Sequence, residues 1–160
     1  MSTDRVEALT RRVLRAVRRG NSRSRGHRHG ALKELLLGVL EEKTSRRHAL
    51  VMLNRLERTF VDWNEVRISS LYEIAHTMDG SARALQWAER VREVLRRVFD
   101  TTNDLTLETL AGLSHDKAKK MIREFAALPD HEREDAGRRP APKRADSSAE
   151  RPAPNRKEKG

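Results

Sequence analysis

All five prolines of this 160-residue chain lie at position 129 or later, whereas every Val, Ile, Leu, Met and aromatic residue lies before it. No proline therefore interrupts the first 128 residues, which are free to run as helices. Residues 129–160 hold no side chain able to build a core. They cannot bury enough apolar surface to offset an ordering entropy of roughly 1–2 kcal/mol per residue. The division predicts a folded part ending near residue 128 and a disordered Pro/Arg/Ala-rich tail over 129–160.

Periodicity within the first part is that of helices throughout. Val6, Leu9, Val13, Ala16 and Val17 recur at three- and four-residue spacing, which predicts an amphipathic helix over 3–19 with arginines around its apolar stripe. Residues 20–30 carry no apolar side chain and read as a flexible basic linker. Residues 31–43 are apolar on most faces and predict a central helix. Leu50, Leu53 and Leu56 mark a helix over 46–60, and 61–69 reads as a loop. Ser70 with Glu73 has capping-box spacing and starts a short helix through Met78. Ser81 is placed as the cap of a helix reaching Phe99, with Leu85, Ala88, Val91, Val94, Leu95 and Val98 inward. Thr106 opens a short helix, and Ser114 caps the last one, 115–127. There is no alternating strand pattern. The fold class is all-α: a compact bundle of about six helices over 31–128, preceded by the basic helix at 1–19.

Charge is distributed unevenly. Residues 1–29 hold nine arginines against two acids, a net of +7, while residues 30–128 come to +1. A basic arm of this kind attracts polyanions by counterion release. Its arginines Arg11, Arg12, Arg15, Arg18, Arg19, Arg23, Arg25 and Arg28 are therefore candidate nucleic-acid contacts. Lys43, Thr44, Arg46 and Arg47 join them at a helix junction, where free backbone N–H groups can receive a phosphate. Lys117 and Lys120 share a face of the last helix and complete the set. The chain has no cysteine, which excludes disulfides, thiolate zinc and cysteine-ligated iron–sulfur clusters. No apolar run approaches the ~20 residues a bilayer span requires, and no signal-peptide core is present. A cytoplasmic protein without membrane attachment, metal or other cofactor is expected.

Four segments carry a resemblance. Phe60-Val-Asp-Trp-Asn-Glu-Val-Arg67 with Ile68-Ser-Ser-Leu-Tyr-Glu-Ile-Ala75 resembles the loop and following helix of endonuclease III-like DNA glycosylases, of the helix-hairpin-helix superfamily. Leu35 to Ser45 is similar to the family's helix and turn at the DNA face. Leu105 to Ser114 and His115 to Leu128 look like the two helices before its hairpin. The resemblance implies the all-α fold and a DNA-facing turn near residues 42–47, with Glu42 where the family has glutamine. It also implies that the hairpin and the catalytic aspartate would follow Leu128-Pro129, where this chain has Asp130-His-Glu-Arg-Glu-Asp-Ala instead. Lys143 and Asp146 lie in the proline-rich tail and are poor substitutes.

The expectation is a weak, largely nonspecific DNA-binding protein related to base-excision-repair glycosylases, without catalytic residues of its own. Two alternatives stand beside it: one subunit of a split glycosylase, and a helical protein–protein interaction module. The stripe Val6, Leu9, Val13 and Val17 is expected to be partly exposed, loosely docked or buried in a protein partner. Trp63 and Trp87 read as core anchors. Asp62 and Glu65 read as helix caps or partners of Arg58 and Arg67. His48, His76 and His115 have no acid or nucleophile at a convincing offset in the sequence, and His27 and His29 flank an arginine in a poor setting for a metal.

Overall fold

Leu32, Leu35, Leu36, Leu37, Val39 and Leu40 are all buried because the helix that carries them has neighbours on every side. A helix apolar around its circumference is stable only at the centre of a bundle. The computed structural model describes residues 2–20 and 30–127, all within the unit Met1–Leu128. The described residues form seven α-helices: α1 (Thr3–Gly20), α2 (Gly30–Leu40), α3 (Arg46–Thr59), α4 (Trp63–Ile68), α5 (Leu71–Met78), α6 (Ala84–Thr102) and α7 (His115–Ala126). A 3-10 helix covers Glu108–Gly112, and no strand is present among the described residues. Helix α2 is the hub, in contact with α1, α3, α6 and α7. The linker expected within 20–30 and the tail expected at 129–160 fall, apart from Gly20 and Gly30, outside the described residues.

The N-terminal stripe departs from expectation. Val6, Leu9, Val13 and Val17 are each no more than 3% exposed. They are covered by this chain itself, since α1 lies against α2, α7 and the 3-10 helix. Leu9, Val13 and Val17 belong to the same core as the leucines of α2. The close approach is made at Gly38: a Cβ there would stand 2.4 Å from Leu9 Cδ1 and 3.1 Å from Leu9 Cγ. The basic helix is thus a wall of the domain, and its apolar stripe is covered within the chain.

Other differences have local causes. The stretch 61–69 is not all loop, because Asp62 accepts a hydrogen bond from the Glu65 N–H at 2.8 Å and Glu65 accepts one from the Val61 N–H. That reciprocal pair caps α4, so the two carboxylates serve the helix start and not Arg58 or Arg67. Arg67 bonds Asn64 and stacks 4.1 Å from the Phe99 ring centre. Ser70 caps α5 by accepting from Glu73 N–H at 3.2 Å, as its spacing predicts. Helix α6 starts at Ala84 and not beside Ser81: the Ala84 N–H that the Ser81 hydroxyl would cap goes to the Ser81 carbonyl instead, at 2.9 Å, closing a turn before the helix. Leu85 consequently faces out, 37% exposed, and Ala84 and Trp87 lead the buried face instead. The helix expected from Thr106 is the 3-10 helix, with Leu107 and Leu110 buried. Leu50 is only half-buried, while Trp63 and Trp87 are both in the core.

Candidate nucleic-acid interface

Helix α1 turns its valines inward, and the same 3.6-residue geometry places its arginines on the outside. Arg11, Arg15, Arg18 and Arg19 are exposed, and Arg12 is half-buried. Arg11 bonds Glu7 at 3.1 Å, one turn away. Arg15, Arg18 and Arg19 form no ion pair with any described residue. Arg18 and Arg19 also lie in the last turn, where positive charge complements the helix dipole. Arg23, Arg25 and Arg28 fall outside the described residues.

Arg12 is held from two sides. Glu34 Oε2 accepts from its Nε at 2.9 Å and from its Nη2 at 2.7 Å, and Glu41 Oε2 accepts from its Nη1 at 2.8 Å. Arg46, at the start of α3, donates to Glu41 Oε1 at 2.7 Å and lies 3.8 Å from Glu34 Oε1. Two acids and two arginines thus alternate across α1, α2 and α3. Burial disfavours the Glu41 carboxylate, but Arg12 and Arg46 outweigh it and hold its pKa below the usual range. The same balance raises Arg12: burial lowers its pKa, and Glu41 and Glu34 more than offset that.

Above this network opens a cleft of about 390 Å³. Arg12, Arg15, Arg19 and Arg46 line it, together with Glu34 and the helix ends Gly20 and Gly30. Four residues of the predicted set are therefore brought to one cavity. The two from the α1 surface, Arg15 and Arg19, are the ones without a described acid.

The junction between α2 and α3 is built from Lys43, Thr44, Ser45, Arg46 and Arg47. Ser45 caps α3 by accepting from His48 N–H at 3.3 Å. Lys43 and Arg47 are exposed without a described partner. Thr44 Oγ1 lies 3.0 Å from His48 Nδ1, so its hydroxyl is engaged. His48 Nε2 is 3.3 Å from Asp79 Oδ2, and the imidazole meets Trp87 edge-on at 5.3 Å. Burial opposes the Asp79 charge, yet bonds from Ser81 and the neighbouring His48 hold its pKa below normal. Glu42 does not face outward from this junction. It pairs with Arg90 of α6, which is 3% exposed.

Lys117 and Lys120 stand exposed on α7, away from the residues that line the cleft. Between them Lys119 bonds Glu7 of α1 at 2.8 Å, and His115 reaches the same carboxylate at 2.9 Å. The Lys119 bond, helped by His115, holds the Glu7 pKa at about 2. A depressed carboxylate stabilises the fold above its unfolded pKa, near 4.5, and loses that contribution as pH falls through about 2. Glu7→Gln is accordingly expected to be less stable than wild type at pH 5. The gap should close progressively on acidification to pH 2, as read by thermal melts across that range. A gap of constant size would contradict the α1–α7 clamp.

The acids Glu34, Glu41 and Glu7 and the buried Arg90 were not singled out from sequence. Glu34 and Glu41 are seven residues apart, two helical turns, and that spacing is the signal that places them on one face. Arg90 sits three residues from Trp87 and four from Val94, on the apolar stripe of α6. Among the described residues no group of three or more His, Asp or Glu could hold a metal, and no helix is long and apolar enough to cross a membrane. No protein-family model, curated protein or solved structure matches this chain, so its role is argued from this geometry.

Proposed function

We propose that the domain binds nucleic acid, principally DNA, through the outward face of α1 and the start of α3, without reading base sequence. The observation that carries this is the cluster of exposed arginines Arg15, Arg18 and Arg19, beside a cleft also lined by Arg46. These arginines have no described carboxylate to neutralise them. Guanidinium groups in this state are matched by phosphates, whose binding releases condensed counterions. No aromatic ring is among the residues lining the cleft, so stacking on bases has no platform there. A descent from endonuclease III-type glycosylases belongs to the same proposal and rests on the resemblance of four segments within roughly residues 30–129. The described residues supply DNA contacts in this reading and no residue for base excision.

The test is salt dependence of binding to a random-sequence duplex, followed by fluorescence anisotropy. Arg15, Arg18, Arg19 and Arg47 provide about four phosphate contacts, which gives a slope of log K against log salt of about −3.6 or steeper. Replacing Arg15, Arg18 and Arg19 by alanine should flatten the slope by about 2.7. A slope that the triple substitution leaves unchanged would move the interface elsewhere. Arg12→Ala is a less useful probe, because it also strips Glu34 and Glu41 of their partner.

A further inference from the structure

The cationic surface of this domain is not flat. Arg15 and Arg19, one turn apart on α1, open onto the same concave cleft of about 390 Å³. A volume near the lower end of small-ligand pockets admits a compact anion. A continuous duplex backbone has a different fit. Its phosphodiesters are fixed along a broad cylinder and can touch the rim, but they cannot turn inward. The one part of a strand free to enter such a cavity is its end.

The charges in the wall favour an end of particular chemistry. Arg12 is already committed to Glu34 and Glu41, and Arg46 to Glu41. The two acids hold those guanidiniums in place and cancel much of their field. Arg15 and Arg19 keep their full charge, and like charges at i, i+4 repel until an anion lies between them. A phosphodiester brings one negative charge. A phosphate monoester at neutral pH brings between one and a half and two, with three free oxygens, because its second ionisation falls near pH 6.

We propose that the cleft is a phosphate-monoester pocket, with Arg15 and Arg19 as its ligands and Arg12 and Arg46 as its fixed wall. It would take the terminal phosphate of a nucleic-acid strand or the phosphate of a free nucleotide. This rests on the reading of the α1 face as a nucleic-acid surface, and it adds a preference for phosphorylated ends.

The experiment compares one duplex sequence in three forms, by anisotropy at fixed salt: 5′-phosphorylated, 5′-hydroxyl, and closed at both ends by loops. The phosphorylated form is expected to bind roughly fivefold to tenfold more tightly than the other two. That advantage should fade between pH 7 and pH 5.5 as the monoester loses its second charge. It should disappear in Arg15→Ala/Arg19→Ala, whose helicity is checked by circular dichroism. Equal affinity for all three forms overturns the pocket and leaves the nonspecific surface standing. If no DNA form binds, that surface falls, and the pocket is decided by thermal shift with millimolar dAMP against deoxyadenosine. Stabilisation by dAMP alone, lost in the double variant, supports the pocket and assigns it to free nucleotides. No shift with either overturns it.

Discussion

Replacing Glu42 by alanine is expected to lower the stability of the fold by about 3–5 kcal/mol. The reason lies across the α2–α6 interface. Arg90 is almost wholly enclosed, and its Nη2 donates to Glu42, while its Nε and Nη1 have no hydrogen-bond partner among the described residues. Removing the carboxylate leaves a buried guanidinium with no counter-charge. Desolvation then opposes folding with nothing in the interior to offset it. Arg90→Met alone is expected to cost less, since methionine fills the volume without a charge. The double variant Glu42→Ala/Arg90→Met should recover most of the loss, because an ion pair replaced as a unit by apolar groups is often close to neutral. Urea unfolding followed by tryptophan fluorescence gives the whole cycle, with buried Trp87 on the same helix as a reporter. A single Glu42→Ala variant within about 1 kcal/mol of wild type would mean that Arg90 finds another partner.

The second large effect concerns Gly38. Alanine in place of glycine within a helix would ordinarily stabilise by roughly 0.5–1 kcal/mol. Here the new methyl would meet Leu9 with Cδ1, Cδ2 and Cγ all within 3.1 Å. Clearing the methyl takes a different rotamer of the buried Leu9 or a small displacement of α1, and either disturbs a packed interior. Gly38→Ala is expected to cost about 1–3 kcal/mol in the wild-type background. In a Leu9→Ala background, which vacates the space, the same change should be neutral or mildly stabilising. The cycle therefore predicts strong coupling between the two positions, measured by thermal or urea unfolding of the four proteins. An equal cost in both backgrounds would place the clash elsewhere.

These two positions show what a sequence reveals and what it withholds. The helical class and the stripes of α1, α3, α6 and α7 follow from spacing alone, because burying an amphipathic face leaves a period of 3.6 residues. The cap at Ser70 is likewise local, fixed by one hydroxyl and an N–H three residues on. Helix α4 carried the same kind of mark in Asp62 and Glu65, yet a helix of six residues leaves almost no periodicity to corroborate it. The start of α6 is not legible at Ser81, because the Ala84 N–H goes to the serine carbonyl and not to its hydroxyl, a choice that residue type does not declare.

The candidate site was legible as a list of cations and not as a place. Nine arginines before residue 30 are obvious in the sequence. Arg11 finds Glu7 one turn away, but that Arg12 is spent on Glu34 and Glu41 while Arg15 is not depends on acids 20 or more residues away. The same holds for His48, whose acid at Asp79 is supplied by the end of α5. Long-range pairing of charges has no period, so only the folded arrangement separates Arg12 from Arg15.

The clamp between Glu7 and His115 joins residues 108 positions apart. During synthesis α1 therefore emerges well before α7, which supplies part of its cover. At about 5–20 residues per second, the ribosome needs on the order of 5 to 20 s to cross that interval. For that time the valines of α1 can be shielded on one side by α2 but not by α7. Substitutions that loosen the α1–α2 contact should therefore lower the yield of folded protein in cells more than their equilibrium cost suggests.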